Sequence, residues 1–307
     1  MKNTLLSLLA VLALASCGVE EPVPANPELD TTTAAVEAEV AFREGYVQLS
    51  TGVRMHYVEQ GRLDGPVLVL LHGYTDSYHS FDLDYSLLPK RYHVYALDQR
   101  GHGDSSRPSC CYAQSNFAAD VAAFLNARGH AKAILVGHSM GSFIAQQVAL
   151  EYPQRVQALV LVGSAPTAKG NPVIADLKSV VDTLRDPIDP AFVRDFQAST
   201  FYRPIPPSFL DTAVSESLKL PARVWKATLN GLVAEDHTAQ LYKIGVPTLV
   251  VGGDQDSIFS VAEQRALTQK LPRALLFLYR ETGHAPHVEQ PQRFVNDVTA
   301  FVDGLAP

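Results

Sequence analysis

The chain has 307 residues, of which 47% are hydrophobic and 19% charged, the balance of a globular protein that builds a core. Its formal net charge is -7 and no dense run of Lys and Arg occurs, which argues against nucleic acid as a partner because phosphate binding requires a basic face. The length suits one α/β domain that carries an insertion.

Residues 1–16 have the pattern of a lipoprotein-type signal peptide. Lys2 precedes an apolar run over residues 5–15 that is too short to span a membrane as a mature helix. Leu14-Ala15-Ser16-Cys17 resembles the lipobox of bacterial lipoproteins, which implies cleavage before Cys17 and acylation of its new N-terminus. An ordinary secretory signal is the alternative, and both interpretations predict export.

Residues 17–40 have the composition of a flexible tether, since acidic residues, prolines and three successive threonines leave little apolar surface to bury. A lipidated Cys17 would hold the following domain, residues 41–307, at a membrane of the cell envelope. Gly18, in place of an aspartate, favours the outer membrane over retention at the inner membrane in a cell that has two.

From residue 45 onward, short strands alternate with helical patterns. Residues 46–49 and 53–58 flank Thr51-Gly52 and predict a hairpin. Continuous apolar runs, typical of strands buried on both faces, follow at 67–71, 93–97, 133–136, 158–162, 248–251 and 274–278. Helical patterns lie at about 115–128, 140–152, 261–271 and 290–303. The alternation predicts an α/β fold with a mostly parallel sheet and helices on both of its faces.

The alternation stops between residue 168 and about residue 244, where short helical patterns and prolines replace the strands. This segment predicts a helical cap over the carboxyl edge of the sheet, where ligands bind in such folds. Its aromatic side chains either line a substrate cleft or pack inside the cap: Phe196, Phe201, Tyr202, Phe209 and Trp225.

Two further cysteines, Cys110 and Cys111, are adjacent. Export permits a disulfide, but neighbouring Cα atoms lie about 3.8 Å apart, closer than the ~4.4–6.8 Å that is usual for a bridge. Two possibilities therefore stay open for these cysteines: a strained vicinal disulfide, or two thiols that are free or paired with another molecule. Neither thiol has the ligand spacing of a zinc site.

Gly137-His138-Ser139-Met140-Gly141 fits the pattern G-x-S-x-G between a predicted strand and a predicted helix. Glycine on both sides permits a strained turn that exposes the serine hydroxyl, above a helix N-terminus with free N–H groups. The context predicts that Ser139 is a nucleophile, with a purely structural turn serine as the alternative.

A serine nucleophile requires a base, and the candidate is His284, just past the last strand. His138 is next to Ser139 in the turn and should project elsewhere, and we expect His287 to face solvent. The acid that orients the histidine could be Asp254 or Asp256, since both follow the strand at 248–251.

The order Ser, Asp, His and four other segments resemble the α/β-hydrolase superfamily over residues 45–303. These segments are residues 71–74 (LHGY), 98–105 (D-x-R-G-x-G-x-S), 246–253 before the acid, and 283–291 (G-H-x-P-x-x-E-x-P). The resemblance implies the α/β-hydrolase fold with a cap, Asp256 as the acid, and an oxyanion hole made by the backbone N–H groups of Tyr74 and Met140. His72, Asp98 and Arg100 are interpreted as residues that order loops.

Together these residues predict an enzyme that cleaves a small-molecule carboxylic ester or lactone through an acyl-enzyme on Ser139, with no metal or organic cofactor. The same triad also serves C–C bond hydrolases, amidases and cofactor-free perhydrolases, so the motifs do not choose among them. The non-enzymatic alternative is a ligand-sensing protein with a hydrolase-like pocket.

Overall fold

The computed structural model describes residues 39–305, so the predicted signal peptide, Cys17 and nearly all of the predicted tether lie outside the described residues. An eight-stranded sheet runs through the centre of the described chain. Its strands are β1 (Glu39–Gln48), β2 (Arg54–Arg62), β3 (Val67–Leu71), β4 (His93–Leu97), β5 (Ala133–His138), β6 (Val156–Val162), β7 (Thr248–Gly253) and β8 (Ala274–Tyr279).

The strand order is β1-β2-β4-β3-β5-β6-β7-β8. The pairs β1–β2 and β2–β4 are antiparallel, and every other neighbouring pair is parallel. The predicted fold class, a mostly parallel sheet in an α/β protein, is therefore confirmed. The predicted hairpin is present, but β1 begins at Glu39 instead of near residue 46, because this edge strand exposes most of its side chains and its apolar residues form no continuous run.

The described helices are α1 (Gln114–Ala127), α2 (Met140–Glu151), α3 (Pro172–Val181), α4 (Pro190–Ala198), α5 (Pro207–Leu218), α6 (Ala222–Ala234), α7 (Val261–Lys270), α8 (Pro286–Glu289) and α9 (Pro291–Asp303). Short 3₁₀ helices occur at Tyr78–Phe81, Pro153–Arg155 and Leu241–Lys243. The segment between β6 and β7 contains α3 to α6, which we call the cap. Pro172, Pro190 and Pro207 each begin a cap helix, a position where the missing N–H costs nothing.

Parallel strands buried on both faces divide the core into two hydrophobic clusters. Leu135 and Leu161 belong to the cluster shared with α1, α2 and the cap, whereas Ile134 and Val160 belong to the cluster shared with α9. This two-sided burial explains why the strands appear as unbroken apolar runs in the sequence. Within residues 39–305, none of the helices combines the length and the apolar character that a membrane span requires.

Cys110 and Cys111 are joined as a vicinal disulfide, with 3.8 Å between their Cα atoms. The bridge lies in the loop before α1. The backbone carbonyl of Cys111 accepts a hydrogen bond from Arg100 (2.6 Å), and this arginine also makes two hydrogen bonds to Asp120 in α1.

The loops after β3 and β4 are held together by buried polar groups. Asp98 accepts hydrogen bonds from the backbone N–H groups of Tyr78 and Asp104, both at 2.8 Å. Nε2 of His72 accepts one from the N–H of Gln99 (3.0 Å), while its Nδ1 donates to the carbonyl of Gly73 (2.8 Å). These contacts agree with the interpretation of His72, Asp98 and Arg100 as residues that order loops.

Two fully buried histidines in these loops make the fold sensitive to acid. Burial lowers the pKa of His72 to about 4 and that of His102 to about 3. An unfolded histidine titrates near pH 6.5, so below that pH the unfolded chain binds more protons than the folded one. Each of the two should therefore remove up to about 1.4 kcal/mol of unfolding free energy per pH unit as the pH falls from 6.5.

Urea unfolding at pH 7, 6 and 5 measures this slope. The variant His102→Gln keeps a donor for the carbonyl of Arg100. It should reduce the slope of unfolding free energy against pH by up to about 1.4 kcal/mol per pH unit, the effect of one proton. His79→Gln is the control: burial opposes protonation of His79, but its hydrogen bond to Asp82 raises its pKa overall, so its loss should not flatten the slope. Equal slopes in H102Q and the unsubstituted protein would contradict the prediction.

Candidate active site

The carboxyl ends of β5, β7 and β8 meet at one edge of the sheet, and the loops that follow them carry Ser139, Asp256 and His284. Neighbouring parallel strands bring residues that are far apart in the chain to the same edge. The structure thus brings the three side chains together.

Ser139 occupies a strained turn between β5 and α2. Its φ of 50° and ψ of -118° are unfavourable for a residue with a side chain. Both flanking glycines are sterically required: a Cβ on Gly137 would lie 2.3 Å from the carbonyl oxygen of Gly141, and one on Gly141 would lie 2.1 Å from that of Leu71. The backbone therefore passes too close to itself for any other residue type.

A chain of hydrogen bonds links the three side chains. Oγ of Ser139 lies 2.8 Å from Nε2 of His284, and Nδ1 of His284 lies 3.0 Å from Oδ2 of Asp256. Because ionised Asp256 only accepts hydrogen bonds, Nδ1 carries the proton and Nε2 is free to accept one from the serine. The side chains of His284 and Asp256 are almost fully buried, whereas Ser139 is partly exposed.

The structure distinguishes the two candidate acids. Asp256 contacts His284 and also accepts hydrogen bonds from the N–H groups of Ile258 (2.9 Å) and Phe259 (3.0 Å), which hold its carboxylate in place. Asp254 instead contacts the N–H of Thr282 at 3.4 Å. Only Asp256 is therefore in contact with the imidazole.

The expectation for His287 is wrong. His287 is fully buried, with its ring 4.4 Å from that of His138 and 5.1 Å from that of Phe81. Pro286 begins the short helix α8, and this helix turns its first residues into the core. His138 projects away from the serine hydroxyl, as expected. Its Nε2 lies within hydrogen-bonding distance of the backbone carbonyl of His284, at 3.2 Å.

Glu289 anchors the loop that carries His284. Its carboxylate accepts hydrogen bonds from the N–H groups of Gly283 (2.9 Å) and of the cap residues Tyr202 (3.1 Å) and Arg203 (2.8 Å). The N–H of His284 donates to the carbonyl of Thr200 (2.9 Å). These hydrogen bonds join the cap to the histidine loop. The one sequence signal for this connection was the glutamate of the 283–291 motif.

The predicted oxyanion donors, Tyr74 and Met140, lie on the two loops that flank the serine. Leu71 pairs with Gly137 across β3 and β5, so the residues that follow each of them are neighbours at the sheet edge. Met140 is the first residue of α2, and the first hydrogen bond of this helix runs from the N–H of Ser142 to the carbonyl of Ser139 (2.8 Å). The N–H of Met140 therefore has no acceptor within the helix. The hydroxyl of Tyr74 donates to the carbonyl of Trp225 (2.8 Å), which ties this loop to the cap.

A pocket with about 810 Å³ of empty space, part of it open to solvent, lies between the sheet edge and the cap and reaches Ser139 and His284. Three of the five predicted aromatic residues line it: Phe196, Phe201 and Phe209. Trp225 is instead fully buried behind Tyr74 and Phe196, and 57% of Tyr202 is exposed to solvent. Most of the pocket wall is apolar.

Three polar pocket residues had no signal in the sequence: Asp76, Gln197 and Glu216. Nε2 of Gln197 donates to Oδ1 of Asp76 (2.9 Å) and to Oγ of Ser217 (2.8 Å), so a buried amide joins two cap helices to the loop after β3. Burial raises the pKa of Asp76 to about 6, although the hydrogen bond from Gln197 opposes that rise.

Ligand atoms of His56, Asp98 and Asp104 come within 4.8 Å of one another, the only such grouping of potential metal ligands among the described residues. The carboxylate of Asp98 is already engaged by Nδ1 of His56 (2.8 Å) and by the two backbone N–H groups described above. We therefore assign no metal to this cluster.

The chain is similar to known hydrolases along most of its length. A family model of the α/β-hydrolase fold matches residues 66–291. Lipase 3 of Moraxella sp. (strain TA144) is 27% identical over 321 residues, covering 98% of both chains. Proline iminopeptidase PfmaB of Pestalotiopsis fici is 28% identical over 279 residues, covering 82% of this chain and 97% of that protein.

Among solved structures, an esterase from a Rhodococcus species, RhEst1, superposes with a TM-score of 0.73 at 27% identity, covering 87% of this chain and 100% of that one. The matched family model spans the strands that carry Ser139, Asp256 and His284, together with the cap. This chain is a hydrolase and belongs to the α/β-hydrolase-fold family.

Proposed function

We propose that this protein is a serine hydrolase that cleaves small-molecule carboxylic esters or lactones through an acyl-enzyme on Ser139. The observation that carries the proposal is the contact of Ser139 Oγ with His284 Nε2 at 2.8 Å, at the inner end of a largely apolar pocket. A serine hydroxyl is a weak nucleophile until an adjacent base accepts its proton.

In the first half of the reaction, Ser139 Oγ bonds to the carbonyl carbon as its proton passes to Nε2 of His284. The carbonyl π pair moves onto oxygen, and the N–H groups of Tyr74 and Met140 stabilise that charge by about 3–4 kcal/mol each. Asp256 stabilises the imidazolium without taking its proton. The oxyanion then collapses, the C–O bond to the leaving group breaks, and His284 protonates the departing alkoxide.

In the second half, a water molecule takes the place of the alcohol. His284 removes a proton from the water as the water oxygen bonds to the acyl carbon. The second oxyanion then collapses, the bond between the acyl carbon and Ser139 Oγ breaks, and His284 returns the proton to Oγ. The products are a carboxylic acid and an alcohol, and no metal or organic cofactor takes part.

Substitution of the proposed catalytic residues should remove activity without unfolding the protein. We expect Ser139→Ala, His284→Ala and Asp256→Asn each to lower kcat/KM by about four to six orders of magnitude, because the three residues act as one unit. Hydrolysis of p-nitrophenyl butyrate measures the loss, and a fluorophosphonate probe should label the unsubstituted protein at Ser139 and fail to label the Ser139→Ala variant.

Asp254→Asn is the matched control, since it makes the same change two residues away and outside contact with His284. It should retain most of the activity. An inactive Asp254→Asn together with a fully active Asp256→Asn would show that the acid is wrongly assigned.

Cleavage of anilides or peroxide-dependent halogenation, with no ester hydrolysis, would favour the amidase or perhydrolase alternative instead.

We also propose that the cap selects the substrate. Phe196 lines the pocket from α4, whereas Phe192 on the same helix packs against Trp225 and lies outside the pocket lining. Phe196→Ala should enlarge the pocket and raise kcat/KM for octanoyl relative to acetyl esters by about tenfold, the scale of one or two methylenes in an apolar pocket.

Phe192→Ala should leave the ratio of octanoyl to acetyl ester hydrolysis unchanged. A series of p-nitrophenyl esters of increasing acyl length gives this ratio for each variant. A uniform loss for all esters in folded Phe196→Ala would assign the cap a structural role and move specificity to the loops near Tyr74 and Tyr78.

We propose that Cys17 is acylated and that the exported protein is anchored in the cell envelope. Full-length protein should be found in the membrane fraction and should enter the detergent phase on phase separation. The signal peptide of the Cys17→Ala variant should remain uncleaved. More than one acyl chain is needed for stable anchoring, because a single chain binds reversibly. Mature protein found wholly in the aqueous phase, with an unmodified N-terminus, would contradict this proposal.

A further inference from the structure

The pocket has two chemically different sides. One side is formed by α3, α6 and the loop between β7 and α7, and its side chains are apolar: Ile174, Leu177, Leu229, Leu232, Ile258 and Phe259. The other side is formed by the loop after β3, the 3₁₀ helix Tyr78–Phe81 and α5. Two carboxylates, those of Asp76 and Glu216, lie on this second side.

The two carboxylates, which we call the acidic wall, are incompletely neutralised. Asp76 is partly exposed in the pocket. Its carboxylate accepts a hydrogen bond from the neutral amide of Gln197 and is also stabilised by the backbone of Gly73 and by His284 nearby. Glu216 is only 6% exposed; its Oε1 pairs with Lys219 (2.9 Å), but its buried Oε2 has no hydrogen-bond partner among the described residues. A buried carboxylate oxygen without a donor is costly and strengthens the negative potential of this wall.

A third acceptor lies beside the acidic wall. Nε2 of His138 donates to the carbonyl of His284, so its Nδ1 is a bare acceptor, and this buried atom has no partner among the described residues. His138 lines the pocket. Its Nδ1 and Oδ2 of Asp76 lie 3.0 Å and 2.8 Å from the point where a Gly73 Cβ would be, so both acceptors border the same space.

The basic side chains at this end of the pocket are themselves paired with more than the acidic wall. His79 contacts Asp82 through Nδ1 (2.7 Å), and Lys219 pairs with Asp104 (3.0 Å) as well as with Glu216. The four carboxylates of this region, those of Asp76, Asp82, Asp104 and Glu216, therefore face two basic side chains besides the triad histidine His284. The excess of negative charge borders the pocket and is complementary to a cation.

We propose that the acidic wall holds a positively charged group of the substrate, so that the enzyme prefers esters carrying an ammonium group to neutral esters of the same shape. The apolar side of the pocket would receive the uncharged part of the same molecule. This inference rests on the proposed function, since it names the class of ester that the Ser139 site accepts.

Two pairs of isosteric substrates test the proposal and locate the cation. Butyrylthiocholine and S-(3,3-dimethylbutyl) thiobutyrate differ only in a charge on the leaving group. Methyl 6-aminohexanoate and methyl heptanoate differ in a charge on the acyl group. At neutral pH and low salt, the cationic member of one pair should have a kcat/KM about tenfold higher, the scale of one charge-assisted contact.

Asp76→Asn and Glu216→Gln keep the size of the side chain and remove its charge. Each should lower the ratio of cationic to neutral kcat/KM by about threefold or more. Asp211→Asn is the matched control, because it removes an acidic charge from the outer face of α5, where Asp211 is exposed and pairs with Arg194 (2.6 Å). Its ratio should equal that of the unsubstituted protein.

If neither variant folds, inhibition of the unsubstituted enzyme decides the question. Butylammonium should compete with the substrate at least about tenfold better than 1-butanol, which lacks the charge. Equal kcat/KM values within both pairs, or equal inhibition by amine and alcohol, would overturn the inference. The proposed function would still hold after such a result if the protein hydrolyses neutral esters and the Ser139→Ala variant does not.

If no ester is cleaved, the proposed function fails, and calorimetry on the Ser139→Ala protein still tests the acidic wall. Binding of butylammonium that weakens in the double variants Ser139→Ala/Asp76→Asn and Ser139→Ala/Glu216→Gln would support a cation site. Absence of binding would overturn it.

Discussion

The strained turn at Ser139 is the constraint on which the rest of the site depends. A non-glycine residue with a φ of 50° and a ψ of -118° is held there because α2 packs so closely on the ends of β3 and β5 that Gly137 and Gly141 have no room for a Cβ. The sheet and the first turn of α2 over-determine this conformation. The result is a hydroxyl that stands clear of the backbone, at the edge where β7 and β8 deliver the acid and the histidine.

The histidine loop is held from several directions, which keeps the imidazole within 2.8 Å of the serine. Asp256 fixes Nδ1, Glu289 binds the N–H of Gly283, and Nε2 of His138 supports the carbonyl of His284. Buried neutral histidines are useful in such a place because each offers one donor and one acceptor. They also make stability depend on pH, since protonation of a buried imidazole is costly in the folded state.

The cap is joined to the sheet edge by polar contacts as well as by apolar packing. Gln197 bonds to Asp76, Tyr74 to the carbonyl of Trp225, and the N–H groups of Tyr202 and Arg203 to Glu289. Hydrogen bonds thus fix both the loop after β3 and the histidine loop relative to the cap helices. This arrangement explains how a segment distant from the serine in sequence can shape the pocket, and it places charged groups where an otherwise apolar pocket would have none.

Local sequence patterns predicted the fold class, most strand positions, Ser139 and His284: unbroken apolar runs, a glycine-flanked serine, and polar residues directly after strands. These patterns left Asp254 and Asp256 open, and the family resemblance pointed to Asp256. The folded chain was needed to show that Asp256, and not Asp254, contacts His284, that His287 is buried, and that Trp225 lies behind the pocket wall. It alone brought Asp76 and Glu216 to one side of the pocket. The environment of a side chain in a cap depends on how short helices pack over the sheet, and no local periodicity in the sequence records that packing.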